Sequence, residues 1–243
     1  GKVVIIAPLE VSPLSILSAS EIEALVKNPY VESINGRSRL ELLDMYNNVG
    51  KTGVLNYISN DSYLKVLAAT DKAGNLDINK LHSFNANPEL LAIEMKNRPE
   101  LAEKSIDHMR KLSPEMKSSF TKYLTKLNKA GKVIGFVGTI LGAYLISEEC
   151  KAAEAVGDYK KSNEIMAEWA VTNSASAAVA GVATLAIAAL AASAGAPIAV
   201  TAGAVIFTGV VTGMISQSVA EDLYRSLGDT NNNGVADLLD RFF

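Results

Sequence analysis

Residues 169–220 read WAVTNSASAAVAGVATLAIAALAASAGAPIAVTAGAVIFTGVVTGMISQSVA. There is no Asp, Glu, Lys, Arg or His among them. The run divides at Gly195-Ala196-Pro197, a turn signal, into Ala175–Ala194 and Ile198–Ser216. At 1.5 Å per residue, about twenty helical residues span roughly 30 Å, the thickness of a bilayer's hydrocarbon core. The sequence therefore predicts a helical hairpin over about residues 173–217. Its characteristic residues are Ala175, Val182, Leu185 and Leu190 in the first arm, Gly195 and Pro197 at the turn, and Val205, Phe207, Gly209 and Gly213 in the second. Alanine contributes less than leucine to partitioning, and Ser174, Ser193, Thr201, Thr208 and Thr212 dilute the arms further. Each arm is thus a marginal span. Two readings fit: a segment sheltered in a soluble form and inserted when released, or a helix pair permanently buried in a bundle.

Working outward, residues 148–168 form an acidic flank, in which Glu148, Glu149, Glu154, Asp158, Glu164 and Glu168 outnumber Lys151, Lys160 and Lys161. Gly157-Asp158 predicts a turn between two helices, and Trp169, the sole tryptophan, closes the flank. Val133–Ser147 has fifteen residues without a charge. Gly131, Gly135, Gly138 and Gly142 would share one face of a continuous helix there, a pattern suited to close helix–helix approach. From Lys104 to Lys132 the local net charge is +6. Within it Met116, Phe120, Leu124 and Leu127 recur at helical spacing, behind a first-turn Pro114 that Ser113 can cap. Lys117, Lys122, Lys126, Lys129 and Lys132 make the polar side of this amphipathic helix. Such a face is either an ordinary solvated back or a surface that docks on anionic lipid.

The first hundred residues predict short helices. Ser20 and Glu23 fit a capping box for a helix through Val26 that Asn28-Pro29 ends. A second helix is expected over Arg37–Tyr46 with Leu40 and Leu43 inward, and a third capped by Asp61. Asp77, Pro88 and Pro99 mark further starts. The only strand candidate is Val3–Ile6. Gly1–Pro8 is too short for a signal peptide, so secretion is expected through another route or an upstream delivery region.

The order of these features resembles the channel-forming domain of pore-forming colicins over roughly residues 105–227. The matching pieces are Leu127–Gly135, then Lys151–Tyr159 with Gly157-Asp158-Tyr159, then the hairpin, then Gly209–Ile215 followed by Ala220-Glu221-Asp222-Leu223-Tyr224. The resemblance implies a secreted, soluble bundle with the hairpin sheathed inside. It implies basic docking on a target cell's bilayer, insertion and depolarisation, and an immunity protein as partner where the target is a rival bacterium. Residues 1–100 have no place in that pattern, and neither does the tail after Leu227. The expected organisation is a helical module over 1–100 and a colicin-like bundle over 101–243, all-α throughout.

Asp229, Asn231, Asn233, Asp237 and Asp240 fall at EF-hand ligand positions around Gly234, so the tail is a candidate calcium loop, though Asp240 is shorter than the usual glutamate. A turn with a helix cap uses the same residues. Ala69–Lys80 has the glycine and apolar positions of such a loop but lacks its first, fifth and twelfth ligands, so a metal-free helix–loop–helix is expected. No cofactor is required. A net charge of −3 argues against nucleic acid as partner. One cysteine, Cys150, excludes an intrachain disulfide and is expected to be an ordinary thiol. His82 and His108 stand apart, and no phosphate loop, H-E-x-x-H or G-x-S-x-G occurs, so no enzyme is expected. The alternative to a pore former is a secreted effector or interaction protein in which the hairpin is only core. Oligomeric state stays open.

Overall fold

The computed structural model describes residues 1–5, 18–132, 135–173 and 177–211. The chain is all-α in class, with ten helices among the described residues and one small sheet. It divides into two compact units, Gly1–Lys126 and Leu127–Phe243. The boundary expected at 100/101 falls instead inside the helix Glu100–Met109.

In the first unit, β1 (Val3–Ile5) pairs in parallel with β2 (Val31–Ile34), which pairs antiparallel with β3 (Arg37–Ser38). The helix α1 (Ala19–Lys27) lies between β1 and β2 in sequence. Its capping box uses Ser18 and Glu21 rather than Ser20 and Glu23. Asn28 ends it as expected. The strands β2 and β3 were not legible, because the tight turn at Asn35 and Gly36 (φ 49° and 76°) lets a very short ladder form where a helix is expected.

The element α2 (Arg39–Ala69) holds two helical segments, as expected over this stretch, but they meet at residue 50 and not at Asp61. It is broken once, at Gly50 (φ 71°, ψ −178°), a conformation that only glycine adopts without strain. Its inward face is Leu42, Met45 and Val49, while Leu40 is exposed. Asp61 is therefore no helix cap but an interior residue, 1% exposed. Around α2 pack α3 (Ile78–Ala86), capped by Asp77, α4 (Pro88–Asn97), capped by Asn87, and α5 (Glu100–Met109). The helix α6 (Pro114–Lys129) starts at Ser113, whose hydroxyl accepts from the Met116 amide at 3.2 Å. Phe120, Tyr123, Leu124 and Leu127 are buried on its apolar side. Tyr123 Oη donates to Asp44 Oδ2 at 2.9 Å, and Lys126 Nζ donates to Asn48 Oδ1 at 3.1 Å, tying α6 to the first half of α2.

The second unit contains α7 (Gly135–Ala155), α8 (Tyr159–Asn173), α9 (Ala177–Ala191) and α10 (Ile198–Val211). Every residue from Phe136 to Leu145 is buried, so the most enclosed helix is the glycine-bearing α7. Helices α8 and α9 pack against α7, and α10 packs against α8 and α9. Gly131 and Gly135 have φ of 65° and 57°, so they shape the passage from α6 to α7 instead of extending one helical glycine face. Gly142 keeps the expected role of close approach. A methyl group on it would stand 2.9 Å from Trp169 Nε1. Gly157 (φ 78°) and Asp158, whose carboxylate accepts from the Lys161 amide, make the predicted turn into α8.

Candidate functional site

The hairpin is rich in alanine, valine and small polar residues, with a few large buried side chains, Ile187, Leu190, Ile206 and Phe207, among them. The arm α9 has 15 residues and the described part of α10 has 14, roughly 22 and 21 Å of helix. Among the described residues no helix is long and apolar enough to cross a membrane. Ala175 and Gly213 lie outside the described residues.

The remaining hairpin residues divide by face. Val182, Leu190, Pro197, Phe207 and Gly209 are buried, and Leu185 is half-buried. Trp169 stacks at a tilt on Phe207, with ring centroids 5.6 Å apart. Gly203 allows α10 to sit on Met166 of α8, since an added methyl would meet Met166 Cε at 2.4 Å. Gly195 is exposed at the turn with φ 75°. On the outer side, Thr201, Val205 and Thr208 follow one another at helical spacing and are exposed, Val205 to 70%. Ala188 is exposed on α9. The hairpin is thus sheathed on its inner face and uncovered on its outer one.

The turn end of the hairpin is held by a group that apolar periodicity could not reveal. Glu154, in the last turn of α7, accepts from the Ile198 amide at 2.9 Å through Oε2 and from the Ala199 amide at 3.1 Å through Oε1. Ser162 Oγ of α8 donates to the same Oε1 at 2.7 Å. Its partners lie 44 and 45 residues away, so its place in the acidic flank gave only the residue type. Beside it, the buried Cys150 Sγ donates to the Ser162 carbonyl at 3.4 Å. Burial, with Glu154 and Glu149 nearby, pushes the Cys150 thiol up to about 12, as fits an unreactive thiol.

Lys122, Lys126, Lys129 and Lys132 are exposed and Lys117 is half-buried, so the basic face expected on α6 and just beyond it is largely open to solvent. The tail ligands Asp229, Asn231, Asn233, Asp237 and Asp240 lie outside the described residues. Among the described residues no group of three or more His, Cys, Asp or Glu side chains is placed to hold a metal ion.

The loop at 69–80 is organised by its own groups. Asp71 Oδ1 accepts from the Ala73 and Asn75 amides at 2.9 and 2.8 Å, and Thr70 and Leu76 form a short antiparallel bridge. Lys80 pairs with Glu94 at 2.8 Å, and Arg98 Nη1 donates to the Thr70 carbonyl at 2.9 Å. Lysine stands at the twelfth loop position, where a calcium loop needs a carboxylate. An open cleft of about 720 Å³ runs beside it.

One buried ionic cluster lies elsewhere in the first unit. Asp61 lies 2.8 Å from Arg37 Nη2 and 2.7 Å from Lys65 Nζ. Lys65 also donates to the Asn35 carbonyl and to Asn85 Oδ1, both at 2.9 Å. These bonds fasten the β2–β3 turn and the end of α3 to α2. The i,i+4 spacing of Asp61 and Lys65 was the available signal, and Arg37 could not be joined to it from sequence. His108 stacks on Tyr63 with centroids 4.1 Å apart.

No protein-family model, curated protein or solved structure matches the chain.

Proposed function

We propose that this chain is a secreted, colicin-like pore-forming domain that inserts the α9–α10 hairpin into a target membrane and permeabilises it without covalent chemistry. The carrying observation is the charge-free hairpin itself. Its inner face mixes buried alanine and valine with Ile187, Leu190, Ile206 and Phe207, and among the described residues Ala188, Thr201, Val205 and Thr208 are exposed on its outer side. Each alanine on that face buries little apolar area, so separation costs less than it would for a face of leucines alone. The exposed lysines at 122, 126, 129 and 132 suit docking on anionic lipid. Where the target is a rival bacterium, the further partner in the producing cell would be an immunity protein. The tail loop at 229–240 remains a candidate calcium site.

A second reading is a secreted effector or interaction protein in which the hairpin is structural core. The packing of α9 on α7 and of α10 on α8 and α9 suits it. The two readings part on Ala188→Asp. Ala188 is exposed, so the substitution leaves the soluble fold within about 0.5 kcal/mol of wild type. A charge in mid-membrane costs about 2.5–3.5 kcal/mol. Dye release from phosphatidylglycerol-containing vesicles should occur with wild-type protein and fall at least tenfold with Ala188→Asp. Equal release by both would exclude insertion of α9, and no release by wild type would favour the second reading.

A further inference from the structure

The geometry points to Glu154 as the latch that keeps the hairpin docked, so that breaking its bonds to Ile198 and Ala199 is the step that frees α10. The inference rests on the hairpin being the part that leaves the bundle.

A helix start leaves its first amides without intrahelical acceptors, and a preceding Ser, Thr, Asp or Asn usually supplies one. Before Ile198 the chain reads Gly195-Ala196-Pro197, which has no side-chain acceptor. The carboxylate that supplies the acceptors comes from α7 instead, with one oxygen on each amide. Its negative charge also faces the positive end of the α10 dipole. Near the end of its own helix α7 the same charge is unfavourable, because that end of the dipole is negative. The placement of Glu154 is therefore accounted for by α10 and by the Ser162 hydroxyl that orients it, not by α7. The two charge-assisted bonds are directional and break together when α10 moves away from α7. In a membrane, the first amides of α10 would donate to headgroup phosphate oxygens in place of Glu154, which is the exchange of partners that a latch requires.

The test is amide exchange by NMR on the full chain. Glu154→Ala should raise exchange at Ile198 and Ala199 about tenfold or more, with the Val137–Leu145 amides of α7 unchanged. Glu154→Gln, which keeps an acceptor but no charge, should give a smaller rise, as should Ser162→Ala. Should Glu154→Ala fail to fold, the other two variants decide the question. Wild-type exchange at both amides in variants that keep α7 protected would overturn the latch. In phosphatidylglycerol-containing vesicles the same variants should release dye several-fold faster than wild type. Raised exchange with unchanged release would overturn the claim that this contact restrains insertion. Absence of release by wild-type protein would sink the pore reading instead, and amide exchange would still decide whether Glu154 holds the arm.

Discussion

At the residue scale, Asp61 shows how a buried charge sets both stability and its pH dependence. Burial alone pushes its carboxyl up, but Arg37 and Lys65 outweigh burial and hold it below the usual carboxylate range. The unfolded chain therefore binds more protons in acid, so the contribution of Asp61 is complete above the ordinary aspartate value. It is lost as pH falls below that value toward the folded one. Urea unfolding of Asp61→Asn should show a flatter acid limb than wild type. At neutral pH, Asp61→Ala leaves two buried cations facing each other and should cost about 3–5 kcal/mol. In the second unit the sensitive residue carries no charge. A methyl at Gly142 collides with the rigid indole of Trp169, so Gly142→Ala should destabilise by about 1–3 kcal/mol in thermal unfolding, against the usual helix-favouring effect of alanine.

At the element scale, the helix breaks carry the predictions. Gly50 combines positive φ with extended ψ in the middle of α2, and its side-chain direction is open space. Gly50→Ala should therefore cost about 1–3 kcal/mol from backbone strain alone, measured by chemical denaturation. Val205→Asp, on the exposed side of α10, should leave stability near wild type while abolishing vesicle permeabilisation. Much of the element pattern was legible in local chemistry. Asp77, Pro88, Pro99 and Ser113 mark helix starts through side chains or fixed φ, and Gly157 and Gly195 mark turns through positive φ. What local chemistry could not convey were consequences of distant neighbours. The second helix was expected to end at Tyr46, yet burial of Met45 and Val49 carries it on to the break at Gly50. The glycines at 131 and 135 have the spacing of a helix face but serve a turn, because spacing does not report φ. The hairpin's composition was plain, whereas the face it covers is set by Trp169, Met166 and Phe207 from two helices. Glu154 needed knowledge of where α10 begins in space.

At the scale of the whole molecule, the two compact units have separate vulnerabilities. Differential scanning calorimetry should resolve this, with Asp61→Ala lowering the transition of Gly1–Lys126 and Gly142→Ala that of Leu127–Phe243. A single transition shifted alike by both would mean that the units melt as one. The sole cysteine offers a measure of time on the same molecule. Cys150 is buried, weakly acidic and bonded to the Ser162 carbonyl, one turn of helix from the carboxylate that holds α10. A thiol reagent can reach it only when α7 and α8 part locally. Labelling of the unmodified protein thus keeps a count of openings between α7 and α8, right beside the carboxylate that holds α10, so the chain carries its own clock for the ground on which the hairpin rests.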